Sequence, residues 1–342
     1  MRKILVIFLF IYFVIFPYLS QCQQFPYSTN KDYLTIWNGR EYVPFFMKGI
    51  NLGIAIPGTF PGELGASRQQ YWKWFEAIKQ AGFNCIRLYT LHYPRFYEIL
   101  DSFNNINKQN PLLFIQGIWL DEKEDDSLDL YSMTDDFIKE IEDNVSCVHG
   151  DRTIPYRQGK AYGDYIIDVS QWCLGYIIGR EVYPSEIIKT NNNNYNITEY
   201  SGIHFSIKNA TASEVWFTHK LDYLVEYEQK NYNTQRPVSI SSWPTLDPIA
   251  HKEEQNRQED TTYVDLSKIL LNNAPAGLFI SYHAYPYYPD FVSLQSDYQN
   301  YSDIYGYNSY KGYLNELKSH YKNFPLIIAE YGVPSSWGIA HY

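Results

Sequence analysis

Seven apolar runs divide the chain: Pro44–Leu52 (PFFMKGINL), Asn84–Thr90 (NCIRLYT), Pro111–Leu120 (PLLFIQGIWL), Cys173–Val182 (CLGYIIGREV), Pro237–Trp243 (PVSISSW), Gly277–Tyr285 (GLFISYHAY) and Pro325–Tyr331 (PLIIAEY). Their apolar residues are nearly consecutive rather than alternating. That is the pattern of strands covered on both faces, as in a parallel sheet. Between them lie Arg68–Gln80, Tyr93–Asn105, Leu128–Val148, Ser213–Gln229, Val264–Leu271 and Tyr310–Lys322, which the pattern predicts as helices. The first, RQQYWKWFEAIKQ, carries apolar residues at helical spacing and stops at Ala81-Gly82. Asn191–Asn194 reads as a polar loop.

Strands alternating with helices build right-handed βαβ units. Seven strands in about 290 residues fit a (β/α)8 arrangement better than a doubly wound sheet. No Gly-rich phosphate turn follows the first strand, which removes the main reason to prefer the doubly wound alternative. Only eleven residues follow Tyr331, too few for another helix and strand. The expected fold is therefore α/β, a TIM barrel truncated before its eighth strand, with unpaired edges on the first and seventh strands.

Met1-Arg2-Lys3, the 13 apolar or aromatic residues Ile4–Phe16, Pro17 and then Ser20-Gln21-Cys22 follow the order of a secretory signal peptide. The apolar run is shorter than the roughly 20 residues that span a bilayer. Residues 1–21 are thus expected to be cleaved, leaving 22–342 as one barrel domain, secreted to the extracellular space with no stable membrane span. No internal repeat or linker divides it. The sequons at Asn144, Asn196, Asn209 and Asn300 make a glycoprotein plausible in that setting. Cys147 and Cys173 flank one connecting segment as a candidate disulfide, whereas Cys85 in its apolar run reads as a buried thiol.

Of the 342 residues, 18% are aromatic, which excludes a disordered chain. The formal charge is −10 and no basic block is present, so nucleic acid is not an expected partner. The eight His residues form no HExxH pair, no G-x-S-x-G elbow occurs, and no Cys pair has zinc-ribbon spacing. No metal and no cofactor are expected. Asp121–Asp126 reads as a solvated acidic loop.

Catalytic groups of such a barrel sit at the C-terminal ends of its strands. The fourth run ends Gly179-Arg180-Glu181-Val182 and the seventh ends Ala329-Glu330-Tyr331-Gly332. Two acids there face each other across the barrel mouth, and cleavage of a glycosidic bond needs two carboxyl groups, one to protonate the leaving oxygen and one to attack the anomeric carbon. The competing reading is that each acid pairs with a nearby Arg. Trp119 and Trp243 end strands three and five, and Trp337 follows strand seven; indole rings there suit the CH-rich face of a pyranose, or pack a loop.

These strand ends, with Tyr282-His283-Ala284-Tyr285 at strand six, resemble the clan A glycoside hydrolases. YIIGREV is similar to the clan's acid/base strand and PLIIAEYG to its nucleophile strand. GREV and AEYG look like β-1,3-glucan-modifying members, KGINLG and NCIRLYT like the barrels of families 2 and 5. The resemblance spans about residues 44 to 337. It implies Glu181 as acid/base, Glu330 as nucleophile, His283 and Tyr285 as hydrogen-bonding partners of Glu330 and the sugar, and Arg87 as the charge that keeps Glu330 ionised.

One position departs from the clan, which usually has Asn before the acid/base to contact the sugar 2-hydroxyl. Here it is Arg180, permanently charged and unable to accept a hydrogen bond. An acidic sugar, a different contact, no catalysis, or an Arg180 turned away toward a loop carboxylate all remain open. The reading is a secreted, retaining glycoside hydrolase acting on a β-linked oligo- or polysaccharide. A non-catalytic glycan-binding or scaffold barrel and a transglycosylase stand as alternatives.

Overall fold

Three short strands, β1 (Tyr27–Asn30), β2 (Tyr33–Trp37) and β3 (Tyr42–Phe45), form an antiparallel meander ahead of the main sheet in the computed structural model, which describes residues 25–59, 65–122, 129–256 and 259–333. The seven apolar runs then supply β4 (Gly49–Leu52), β5 (Cys85–Leu88), β6 (Leu113–Ile118), β7 (Cys173–Ile178), β8 (Val238–Ser242), β9 (Ile280–His283) and β10 (Leu326–Glu330). They pair in chain order, each parallel to the next, from β4 to β10. The result is a nearly closed seven-stranded barrel, as the run pattern predicts.

The helices are α1 (Arg68–Gln80), α2 (Pro94–Ile106), α3 (Thr134–Val148), α4 (Pro184–Asn193), α5 (Ala212–Tyr232) and α6 (Ser309–His320). A capping box of Ser67 and Gln70 starts α1, and Pro94 opens α2, where a missing N–H costs nothing. Helix and strand side chains share one outer core: Tyr71, Phe75 and Phe96 meet Ile86, Leu88 and Phe114 there. The opposite strand faces carry a smaller inner cluster of Cys85, Leu113, Ile115, Ile177 and Phe279. Tyr27 and Leu34 of the meander pack into that cluster from below. Ser28 Oγ donates to Pro275 O at 2.7 Å and Tyr27 OH to Gln171 O at 2.6 Å, fastening the plug to loops that precede β9 and β7. Gly277 completes the seal: its φ is +88°, and a Cβ there would lie 1.8 Å from Thr29 Oγ1.

β4 and β10 end the sheet, and a cleft of about 1080 Å³ opens between them. It is lined by Phe45, Met47, Ile50 and Leu326 from its banks and by Ile115 and Ile177 from the barrel interior. At the mouth, Asn51 Nδ2 donates to Ala329 O at 3.1 Å and spans the gap.

Several expectations are corrected. The run Pro44–Leu52 is split between β3 and β4, because Asn84 donates to Phe46 O and accepts from Lys48 N, bending the chain there. Val264–Leu271 is not a helix. Asp265 accepts from Ser267 N in a single 3-10 turn, and Leu270–Leu271 pairs with Phe205–Ser206 instead, so strand pairing takes the backbone groups a helix would use. Asn191–Asn193 closes α4, which Pro184 and Glu186 start, rather than forming a loop. Cys147 on α3 and Cys173 at the head of β7 are separately buried free thiols, not a disulfide, and Cys85 is buried as expected. Asn144 is fully buried with its amide donating to Glu140 O, which closes that sequon to glycosylation, while Asn196, Asn209 and Asn300 are exposed. The leader, residues 1–21, lies outside the described residues. Among those described, no helix is long and apolar enough to cross a membrane.

Gly117 on β6 lets the end of β5 approach. A Cβ at 117 would lie 2.2 Å from Leu88 O and 2.5 Å from Tyr89 O, both backbone atoms that cannot swing aside. Gly117→Ala is expected to lower stability by about 1–3 kcal/mol, read as a fall in the urea midpoint at unchanged m-value.

Candidate active site

The parallel register sets the site. His283 pairs with Glu330 across β9 and β10, and Asn51 with Arg87 across β4 and β5, so these residues reach one rim at the C-terminal ends of the strands. Glu181 arrives just beyond β7, after Gly179 turns the chain with φ +89°. One oxygen of Glu181, one of Glu330 and a ring nitrogen of His283 lie within 4.8 Å of one another. The Glu181 side chain is 39% exposed and that of Glu330 21%, so both acids open onto the mouth rather than into packing.

Each oxygen of Glu330 has its own donor. Tyr89 OH donates to Oε1, and Tyr285 OH donates to Oε2 at 2.9 Å. Arg87 Nη1 stands 3.7 Å from Oε1, and His283 Nδ1 3.8 Å from Oε2. Burial works against ionisation of this carboxyl, but His283, the two phenols and Arg87 together outweigh it and hold its pKa below the ordinary glutamate value. Burial, then the bond to Glu330, pushes the Tyr89 and Tyr285 phenols up, so both keep the hydrogen they donate. Arg87 also stacks over the Tyr89 ring, 4.2 Å from its centroid.

Glu181 is tied differently. Its Oε1 shares one hydrogen with His283 Nδ1 at 2.8 Å, and His283 Nε2 contacts Ser241 Oγ on β8 at 3.1 Å. The imidazole, 5% exposed, thus bridges the two acids while its far nitrogen is anchored. A hydrogen-bonded, solvent-facing Glu181 opposite an ionised Glu330 gives the rim one group that can carry a proton and one that carries negative charge. Among the described residues, this trio is also the group whose ligand atoms converge enough to hold a cation. Each Glu330 oxygen there already accepts one phenol hydrogen, and Glu181 Oε1 shares one with His283 Nδ1.

Arg180 is a correction to its place among substrate-binding residues. It faces away from the mouth, 2% exposed, and its fork grips Glu186 of α4 at 2.6 and 3.0 Å. Of the alternatives open from sequence, this is the outward-turned one, with a helix carboxylate as partner instead of a loop's. Trp243 is half-buried at the rim and donates its indole N–H to Val182 O at 3.1 Å, bracing the chain beside Glu181. Trp119, half-buried after β6, packs with Leu120, Met133 and Phe137 around a small recess. Trp337 lies outside the described residues. In the ring-rich segment, Tyr285 meets the site whereas Tyr282 is buried in the core against Tyr321. Tyr89 is the residue that sequence reasoning missed. Two positions beyond Arg87, it shares that residue's face by strand alternation, and that was the available signal.

A scan against protein-family models returns no match, and a search of curated proteins returns none. Solved structures similar to this chain include β-glucuronidase 2 of Bacteroides uniformis, covalently bound to cyclophellitol-6-carboxylate aziridine. It is 13% identical over 91% of this chain and 27% of that one, with a TM-score of 0.44. The catalytic domain of Thermobifida fusca endoglucanase Cel5A is 11% identical over 90% of this chain and 73% of that one, TM-score 0.41. The exo-β-1,4-mannosidase Op5Man5 of Opitutaceae bacterium strain TAV5 is 11% identical over 84% and 46%, TM-score 0.43. The chain therefore spans little more than a quarter of the glucuronidase. At these scores the likeness is one of barrel outline, and what the rim can do follows from its own geometry.

Tyr89→Phe and Tyr285→Phe each remove a hydrogen bond that favours the charged carboxylate, so each is expected to raise the Glu330 pKa, and the double variant to raise it further. Carboxyl-carbon NMR of selectively labelled glutamate, followed from pH 2 to 7, reads the shift; unchanged titration in both variants would contradict this account.

Proposed function

We propose that this chain is a glycoside hydrolase that cleaves a β-linked oligo- or polysaccharide with retention of configuration. The observation that carries the reading is the approach of the Glu181 and Glu330 oxygens to within 4.8 Å across the open mouth. Retaining glycosidases hold their two carboxyl groups about 5–5.5 Å apart, whereas inverting ones leave roughly 6.5–9.5 Å for a water. Glu330, ionised by its donors, attacks the anomeric carbon as Glu181 gives its proton to the glycosidic oxygen. The C–O bond breaks and a glycosyl ester forms on Glu330. Glu181, now a carboxylate, takes a proton from water; the water oxygen displaces Glu330 and the sugar leaves with its original anomeric configuration. Tyr285 and Tyr89 release hydrogen-bonding strength from Glu330 as its charge is spent in the ester and regain it when the ester is cleaved. The apolar run Ile4–Phe16 within the expected leader, residues 1–21, supports secretion and with it a substrate outside the cell.

The second reading, a barrel that binds glycan without cleaving it, draws on Arg180, since no side-chain amide stands before Glu181 to meet the sugar 2-hydroxyl. Aryl β-glycosides and a mechanism-based covalent label separate the two. Turnover is expected, with label on Glu330 that is lost in Glu330→Gln. Glu181→Gln is expected to cost about 10²–10⁴ in kcat on poor leaving groups. Sugar binding with neither turnover nor label would establish the second reading, and formation of longer saccharides with an added acceptor would show transglycosylation.

A further inference from the structure

The turn that presents Glu181 is held from beneath by a charged side chain that never reaches the mouth. Arg180 Nη1 donates to the Glu181 backbone carbonyl at 3.1 Å and to Glu186 Oε2 at 3.0 Å, while Nη2 donates to Glu186 Oε1 at 2.6 Å. Glu186 Oε2 also accepts from Tyr183 N at 3.0 Å, closing the first turn of α4. Gly179 N donates to Ile118 O at 2.9 Å, and Trp243 to Val182 O, so the chain is fixed on both sides of Glu181. A planar fork and a carboxylate define both distance and angle, which an ammonium cannot do. The guanidinium is almost fully buried while Glu186 keeps 24% of its side chain exposed, so solvent screens the pair only in part.

We propose that Arg180 is a positioning residue for the proton donor: through Glu186 it sets the backbone of Glu181 so that its carboxyl meets His283 Nδ1 on one side and the leaving oxygen on the other. It does so without touching the sugar. This rests on the glycosidase reading above and adds to it the part played by the residue that departs from the clan pattern. Because the carboxyl tip is secured by one hydrogen bond to His283, a shift of its backbone moves the proton donor and leaves Glu330, on the opposite bank, in place.

The test compares the full chain with Arg180→Lys, Glu186→Gln and the exchanged pair Arg180→Glu/Glu186→Arg. Substrates are aryl β-glycosides of one sugar whose leaving groups range from 2,4-dinitrophenolate, which departs unprotonated, to phenolate, which needs the proton. Arg180→Lys and Glu186→Gln are expected to slow phenyl glycosides at least tenfold in kcat/KM and dinitrophenyl glycosides less than threefold, with no recovery in the exchanged pair, which restores the charge pair but not the donor to the Glu181 carbonyl. Equal loss on all leaving groups, tracking a fall in melting temperature, would reduce Arg180 to a structural role and overturn the proposal, as would no loss at all. The 15N shift of His283 provides a readout independent of turnover. If the wild-type chain cleaves no substrate, the glycosidase reading fails on its own account, and an unchanged His283 shift in Arg180→Lys and Glu186→Gln then also overturns the placement of Glu181 by Arg180.

Discussion

The tie between β10 and the first two barrel strands is the constraint on which both the fold and its chemistry rest. β10 has a ladder neighbour on one side, β9, and on the other a cleft. Across that gap the contact is made by side chains at the rim: Asn51 to Ala329 O, Tyr89 to one oxygen of Glu330, and Arg87 beside it. Here two of the groups that keep Glu330 ionised, Tyr89 and Arg87, also reach across the gap to the end of the sheet. Weakening them would therefore loosen the barrel, and repacking the edge would change the acidity of Glu330.

Much of this was legible in the sequence because burial on both faces leaves a coarse mark. All seven barrel strands fall within the seven apolar runs. The strand-end rule picked out Glu181 and Glu330, the clan resemblance added Arg87, His283 and Tyr285, and the fold brings all five to one rim. What escaped was information that lives in contacts between distant segments. Tyr89 looked like one more aromatic at the end of a run: strand alternation puts it on the face of Arg87, but its partner is a carboxylate 241 residues away. The bend at Phe46–Lys48 depends on Asn84, and the non-helical Val264–Leu271 depends on the strand it joins. Asn-rich α4 hid behind its composition, although Pro184 and Glu186 supplied a start signal. The pairing of Cys147 with Cys173 failed because spacing along the chain says nothing of which layer a thiol enters.

Arg180 shows how a departure from a familiar pattern can be absorbed. A charge placed beside a catalytic acid would ordinarily compete for it by attraction. The Arg180–Glu186 pair neutralises that charge within the turn itself, so Glu181 is left to His283. Elsewhere the chain uses the same device: Arg236 is buried against Glu228, with its other donors on Cys173 O and Ser170 O at the foot of β7. In both places the buried guanidinium meets a carboxylate and a backbone carbonyl together.

The meander that plugs the barrel has a further consequence for how the molecule can be presented. β1 and β2 are seated against Pro275, Gln171 and Gly277, all at the foot of the strands, so Phe25 enters the fold at the pole farthest from Glu181 and Glu330. A tether, a cell wall or a bead attached ahead of that residue would grip the molecule by its base, and the rim that carries Glu181 and Glu330 would look outward, unobstructed.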